Sequence, residues 1–184
     1  MSASHVLSSL GGLTRSRYRS GQFFRGFRTA VDPEDVRTIL RLLSPPELDL
    51  FLSMRPRDRR HAVETMHHVD RIAREHGFKA SVELRIAGLL HDVGKGPLHV
   101  HDRVLYVILR AASPSLFEQC ARAEGAQWRV ALWHLRHHAS IGAAQLQAVG
   151  SARRVIELTT GHHLDDPPRD DPELTWLLKA DEAA

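Results

Sequence analysis

Helix start and stop signals recur along this sequence, and they constrain its fold more than any other feature. Asp32, Ser44 and Asp171 are each followed at once by proline, the arrangement of a helix N-cap with proline in the first turn. Gly77 closes a segment with helical spacing of apolar residues, from about Arg57 to His76. No Asn-Gly or Asp-Gly hairpin signal and no fixed-period repeat occurs. The sequence therefore predicts an all-α fold, nine or so helices in one bundle-like domain.

The secondary structure of two segments in the second half of the chain is ambiguous from the sequence. The stretch "RVLYVILRAAS" is compatible with a helix or a strand by periodicity, and we favour a helix because every neighbouring segment is helical. The stretches "WRVALWHLRHH" and "IGAAQLQAVG" are interpreted as two consecutive helices. That interpretation places His138 at their junction.

Composition restricts the class of protein. A chain of 184 residues with 42% hydrophobic residues is long enough to bury the core of a single domain. No apolar run approaches the roughly 20 residues of a membrane span. Cys120 is the only cysteine, so neither an intramolecular disulfide nor a thiolate zinc cluster can form. We therefore expect a cytoplasmic protein with no membrane partner.

The first 31 residues differ from the rest in charge. They contain no acidic residue and five arginines: Arg15, Arg17, Arg19, Arg25 and Arg28. A transit peptide or a nucleic-acid-binding arm has this composition. We favour a basic arm, residues 1–31, whose Phe23, Phe24 and Phe27 dock on a helical domain formed by residues 32–184. With a net charge of only +3, nucleic acid is not the partner we expect.

Thirteen histidines are the unusual feature of the composition, and one of them ends an apolar helix beside an aspartate. In "LRIAGLLHDVGKG", Asp92 follows His91 where burial is expected, and a buried carboxylate needs a compensating charge. A divalent cation supplies that charge, and mixed imidazole and carboxylate ligands suit Fe, Mn, Zn, Ni or Co. Adjacent helical residues diverge by about 100°. The pair can therefore share one ion only at a helix end, or Asp92 can bridge two ions.

Five segments together resemble the HD-domain superfamily of metal-dependent phosphohydrolases: "RDRRHAVET", "GLLHDVGKG", "RHHASIGAAQL", "TTGHH" and "LLKADE". They cover roughly residues 58–182. The resemblance implies a single HD-type helical bundle that holds one or two divalent metal ions. The implied ligands are His61, His91, Asp92, His138, His162, His163 and Asp181.

In the two-metal form that the resemblance implies, Asp92 bridges the ions. His61, His91 and Asp181 would bind one ion, and His138, His162 and His163 the other. His67 and His68 compete with His61 for the first position. We prefer His61 because the long helix can then continue for about four turns before Gly77. His99 and His101 either line the site or face water.

The resemblance also implies the reaction, which is hydrolysis of a phosphate ester, with Asp92 and Lys95 as catalytic residues. We expect Arg103 to be a third catalytic residue, because its planar guanidinium suits the developing charge on phosphate. The substrate would be a small molecule, a nucleotide or a related phosphomonoester or phosphodiester. The segment "LDDPPRDDP" lacks the Gly-Tyr-Pro motif of the cyclic-dinucleotide phosphodiesterase branch. Three alternatives remain open: a non-catalytic metal-binding signalling or scaffold module, oxygen-dependent chemistry at a di-iron centre, and nucleic-acid binding by the basic arm.

Overall fold

Nine α-helices and one 3₁₀ turn make up the part of the chain that the structure describes, and no strand occurs there. The structure, a computed structural model, describes residues 32–96, 98, 100–164, 168 and 170–184, without the side chains of residues 100 and 103. The basic arm and His99 therefore lie outside the described residues. The helices are α1 (Pro33–Leu42), α2 (Pro45–Ser53), α3 (Pro56–Glu75), α4 (Val82–Leu90), α5 (Val100–Ala112), α6 (Pro114–Cys120), α7 (Gln127–Ala148), α8 (Arg153–Gly161) and α9 (Pro172–Ala183); the 3₁₀ turn is Val93–Lys95.

The predicted helix caps are confirmed. The side chain of Asp32 accepts a hydrogen bond from the backbone N–H of Glu34 at 2.8 Å, and that of Asp171 accepts one from Leu174 at 3.0 Å. Gly77, with φ +79°, follows the last turn of α3 in the left-handed conformation that glycine adopts readily. These contacts satisfy backbone groups that a helix end leaves without intrahelical partners.

The choice of a helix for "RVLYVILRAAS" is confirmed by α5, but the division after His138 is wrong. One continuous helix, α7, covers both stretches, and His138 lies in its middle. Within this helix Ser140 Oγ donates a hydrogen bond to the carbonyl of His137 at 2.9 Å, so its hydroxyl is satisfied without a break in the helix. Gly142, in the next turn, lies where the 3₁₀ turn packs against α7.

The long helix α7 joins two hydrophobic regions. The larger core is built from α1–α4, α8, α9 and the C-terminal part of α7, with fully buried members that include Ile39, Phe51, Met66, Leu84, Leu89, Leu146, Leu158 and Leu177. Two smaller clusters join α5 and α6 to the N-terminal part of α7, through Leu98, Phe117, Ala131, Leu132 and Leu135. Because α7 is about 33 Å long, it packs in both regions. No helix among the described residues combines the length and apolar character needed to cross a membrane.

Gly94 allows the 3₁₀ turn to lie directly on α7. A Cβ atom at this position would be 2.1 Å from the carbonyl oxygen of His138 and 2.5 Å from the backbone nitrogen of Gly142. Both distances are far below van der Waals contact, so no other residue fits without displacing a backbone. The glycine thus brings the middle of α7 against the residues that follow His91 and Asp92.

Candidate metal centre

Helix ends supply most of the polar side chains that meet between the helices. His91 is the C-cap of α4, Asp92 precedes the 3₁₀ turn, and His162 is the C-cap of α8. At a helix end the backbone turns away, and successive side chains can therefore approach one point. His138, from the middle of α7, reaches the same point because Gly94, which has no Cβ, lets α7 pack closely against the 3₁₀ turn.

One group of ligand atoms lies between α3, α4 and α9. His61 Nε2 is 2.8 Å and His91 Nε2 is 3.1 Å from Asp181 Oδ1. Asp92 Oδ2 lies 3.7 Å from His61 Nε2 and 3.6 Å from His91 Nε2. Two imidazoles and two carboxylates thus share one small volume, which we call the first ligand group.

A second ligand group lies beside it and consists of imidazoles. His138 Nε2 is 3.2 Å from His162 Nε2 and 2.8 Å from His163 Nε2. Asp92 Oδ1, the other oxygen of the same carboxylate, is 3.3 Å from His138 Nε2 and 3.8 Å from His162 Nε2. Asp92 therefore stands between the two groups and faces each with a different oxygen.

The backbone fixes the orientation and tautomer of three of these rings. Nδ1 of His91, His138 and His162 lies 3.0, 2.8 and 2.6 Å from the carbonyl oxygen three residues earlier. A carbonyl only accepts, so Nδ1 carries the proton and donates it. In the neutral ring Nε2 is then unprotonated, with its lone pair directed at the other ligand atoms.

Several observations fit a metal ion at this place. With both Nδ1 atoms protonated, the Nε2 lone pairs of His138 and His162 face each other at 3.2 Å, and either a proton or a metal ion between them relieves their repulsion. Asp92 Oδ1 is buried and has no hydrogen-bond partner among the described residues. Two ligands on bonds of about 2.1 Å at right angles lie about 3 Å apart, close to the separations found here. The donor set of imidazole and carboxylate suits Fe, Mn, Zn, Co or Ni better than Ca or Mg.

Electrostatics keep the ligands in their binding forms. Burial works to raise the pKa of Asp92. The positive charge of His91, the contacts of His138 and His162 with the carboxylate, and the charge of Lys95 together outweigh burial and hold that pKa well below its usual value. The pKa of Asp181 is also lowered, because hydrogen bonds from His61 and His91 outweigh its burial. Burial lowers the pKa of His163 to about 4. The carboxylates are therefore ionised and His163 is neutral near pH 7.

His91 behaves differently from His162 and His163. Burial lowers its pKa, but the negative charges of Asp92 and Asp181 outweigh burial, and the net shift is upward. In His162 burial dominates and the pKa is lowered. The two carboxylates thus attract positive charge, and without a metal ion a proton on His91 supplies part of it.

Lys95 and a cleft lie at the edge of the centre. Lys95 Nζ contacts Asp92 Oδ2, and the lysine side chain is only 18% exposed. The cleft, of about 320 Å³, is lined by Lys95, Asp92, Arg55, Asp58 and Gln145, among others. Sequence reasoning missed Arg55, the N-cap of α3, and Gln145 on α7, because no local pattern identifies either residue. The prediction for Arg103 concerns a side chain outside the described part of the structure.

The competing histidines lie elsewhere. His67 Nε2 is 2.8 Å from Asp35 Oδ1 with a side chain that is 54% exposed, and His68 Nδ1 contacts Arg71 at 2.8 Å. His101 is exposed. Among the three candidates for the first position, the structure brings His61 alone to the ligand groups. All seven predicted ligand residues lie at this centre.

Comparison with known families agrees with this arrangement. The model of the HD domain family matches residues 59–182, which include the first and the last of the predicted ligands. Comparisons with curated proteins and with solved structures returned no match. Because the match spans about two-thirds of the chain and the fold is all-α, the chain belongs to the HD domain family.

Proposed function

We propose that this protein is a metal-dependent phosphohydrolase that hydrolyses a small phosphate ester at a centre of one or two divalent ions. The observation that carries the proposal is the position of Asp92, whose two oxygens face two separate ligand groups. The first ion would be held by His61, His91, Asp92 and Asp181, and the second by Asp92, His138, His162 and His163. Each ligand group contains residues whose ligand atoms lie within 4.8 Å of one another.

Bound divalent ions would supply Lewis acidity and a water of lowered pKa, the two requirements of phosphate ester hydrolysis near neutral pH. The chain's own residues support that chemistry by orientation. The hydrogen bonds from Nδ1 of His91, His138 and His162 hold these rings before any ligand binds. Little reorganisation is then required at the moment of reaction.

Lys95 is proposed to bind the phosphate of the substrate. Its ammonium group lies beside Asp92 and lines the cleft at the edge of the centre. A divalent ion bound at Asp92 would supply the positive charge that Lys95 now provides, and the Lys95 ammonium would then be available to phosphoryl oxygens. Arg55, in the same cleft, is a second candidate for this contact. Arg103 stays a prediction from the sequence.

The substrate class follows from the chemistry of the centre and not from a recognised pocket for one compound. A nucleotide or a related phosphomonoester or phosphodiester satisfies the requirement for a phosphoryl group that ions and a lysine can bind. A cytoplasmic location and a flanking basic arm remain predictions from the sequence. Neither enters the chemistry proposed here.

The experiment is a metal assay combined with an activity assay. The purified protein is loaded with Mn, Fe or Co, and tested on a panel of phosphomonoesters, nucleotides and cyclic dinucleotides. We expect up to two ions per chain and turnover of at least one substrate. Asp92→Asn is expected to lose both ions and all activity, whereas His163→Ala is expected to lose one ion.

His67→Ala is the matched control, because it removes a histidine from the same helix as His61 at a place outside the ligand groups. It should retain metal and activity. A protein that binds metal in the expected stoichiometry and hydrolyses none of the panel would favour the non-catalytic metal-binding module instead. A protein that binds no metal would refute both functions.

A further inference from the structure

A second cleft opens beside the second ligand group, next to His163, which is the most exposed of its three histidines. This cleft, of about 270 Å³, lies between α5, α6 and α7 and reaches His163. Its polar and aromatic lining consists of Tyr106, Arg110, Phe117, Glu118, Arg136 and His163. His163 thus belongs both to the cleft and to the ligand group, where its Nε2 lies 2.8 Å from His138 Nε2. A molecule bound at the centre can extend directly into this space.

One cationic side chain of the cleft is held in place by an aromatic ring. Arg110 Nη1–H donates to Tyr106 Oη at 2.6 Å, and the guanidinium lies over the ring at 5.8 Å from its centroid. Phe117, edge-on to Tyr106 at 5.2 Å, is buried. The hydroxyl of Tyr106 therefore holds the Arg110 guanidinium within the cleft, and Phe117 packs against the ring of Tyr106.

The other cationic side chain is paired but easily released. Arg136 contacts Glu118, and both side chains are substantially exposed to solvent. Exposed pairs contribute little to stability, since water competes with them. Arg136 can therefore exchange Glu118 for an anionic ligand. Two guanidinium groups, one from α5 and one from α7, then offer the planar N–H pairs that suit phosphate and carboxylate.

We propose that the cleft between α5, α6 and α7 is an anion subsite that binds a second phosphoryl or carboxylate group of the substrate through Arg110 and Arg136. Pockets that enclose whole drug-sized ligands measure about 300–1,000 Å³. This cleft, of about 270 Å³, lies just below that range, and one charged group with a short linker fits it. The preferred substrates are therefore phosphate esters with two anionic groups. That last step rests on the proposed function, whereas the subsite rests on the two arginines.

The direct test is calorimetric titration of the metal-loaded protein with two probes, propane-1,3-diyl bisphosphonate and propylphosphonate. The bisphosphonate is expected to bind at least about tenfold more tightly, because only it can reach both the ions and the arginines. Arg110→Gln and Arg136→Gln should each weaken bisphosphonate binding about tenfold and leave propylphosphonate unchanged. Glu118→Gln should strengthen bisphosphonate binding, since it removes the competing carboxylate.

Arg153→Gln is the control for net charge, because Arg153 is an arginine with a 93% exposed side chain on α8, outside this cleft. Its affinity for both probes should equal that of the unmodified chain. The subsite is overturned if the arginine variants bind both probes as the unmodified chain does, or lose affinity for both probes equally.

Substrate kinetics separate this subsite from the proposed function. On a hydrolysed ester with a second anionic group, Arg136→Gln should raise KM about tenfold with kcat unchanged, and on a simple monoester it should alter neither. If no phosphate ester is hydrolysed but bisphosphonate binding still depends on both arginines, the proposed function fails and the subsite stands. If esters are hydrolysed but bisphosphonate binding does not depend on the arginines, the proposed function stands and the subsite fails.

Discussion

Replacing Gly94 by alanine tests whether the close approach of two backbones positions the metal centre. The new Cβ would lie 2.1 Å from the carbonyl oxygen of His138, whereas ordinary van der Waals contact begins at 3.4 Å. The 3₁₀ turn and α7 must therefore separate by about 1.3 Å along this direction. In the unmodified chain His138 Nε2 lies 3.3 Å from Asp92 Oδ1. Because His138 is part of α7, it would move with that helix. Metal–ligand distances tolerate only about 0.2 Å, so the second ligand group should fail.

The magnitude can be estimated in two ways. Overpacking a well-packed site costs about 1–3 kcal/mol, and for a chain of this size each kcal/mol lowers Tm by about 2–4 °C. We therefore expect Gly94→Ala to melt about 2–12 °C lower, measured by circular dichroism in the presence of a chelator so that metal binding does not contribute. A misplacement of about 1 Å in a catalytic constellation costs about 100-fold in rate, which the phosphatase assay would detect.

Gly142→Ala provides the matched control on the same contact. Its Cβ would lie 3.3 Å from Gly94 N and from Val93 Cγ1, a small adjustment, and alanine is the better helix former in the middle of α7. That variant should melt close to the unmodified chain and keep its metal. If Gly94→Ala melts within about 2 °C of the unmodified chain and keeps the same metal content, the close approach does not position His138, and the reasoning is refuted.

Two further predictions concern stability. A hydrogen bond from Arg154 lowers the pKa of Asp171, so this pair stabilises the fold above the unfolded pKa of about 3.9 and loses its effect as pH falls through the lower folded value. Acid titrations of the unmodified chain and Asp171→Asn should differ at about pH 6 and converge once the pH lies below the folded pKa of Asp171, and a constant difference would contradict this. Adding Mn or Co to the chelated protein at 100 times its Kd should raise stability by about 2.7 kcal/mol, which is about 5–11 °C in a melting scan; Asp92→Asn should show no such rise, and an equal rise in that variant would indicate binding elsewhere.

Local signals in the sequence were sufficient for the helices themselves. The caps at Asp32, Ser44 and Asp171 involve side chains and backbone groups two or three residues apart, so they form in the same way whatever the rest of the fold does. The interpretation failed at His138 for the opposite reason. Whether a helix continues through "HHASIGAA" depends on what packs against it, and there the 3₁₀ turn covers Gly142.

The choice among His61, His67 and His68 shows the same limit. All three lie on α3, and periodicity alone cannot decide which face meets α4 and α9. In the folded chain His61 contacts Asp181, 120 residues away, whereas His67 contacts Asp35 on α1. Long-range packing therefore determines which of the three histidines reaches the metal centre, and no local sequence pattern indicates it.

The sequence by itself determined that this chain is helical, that an apolar helix ends in His91 and Asp92, and which residue types could surround a cation. Those properties depend on neighbours along the chain and on the cost of burying a charge. Only the tertiary structure decided that the two oxygens of Asp92 face different ligand groups and that Arg110 and Arg136 share a cleft with His163. These arrangements join side chains from separate helices, and their geometry depends on how closely the backbones can approach. At the metal centre the close approach is possible because Gly94 has no Cβ atom.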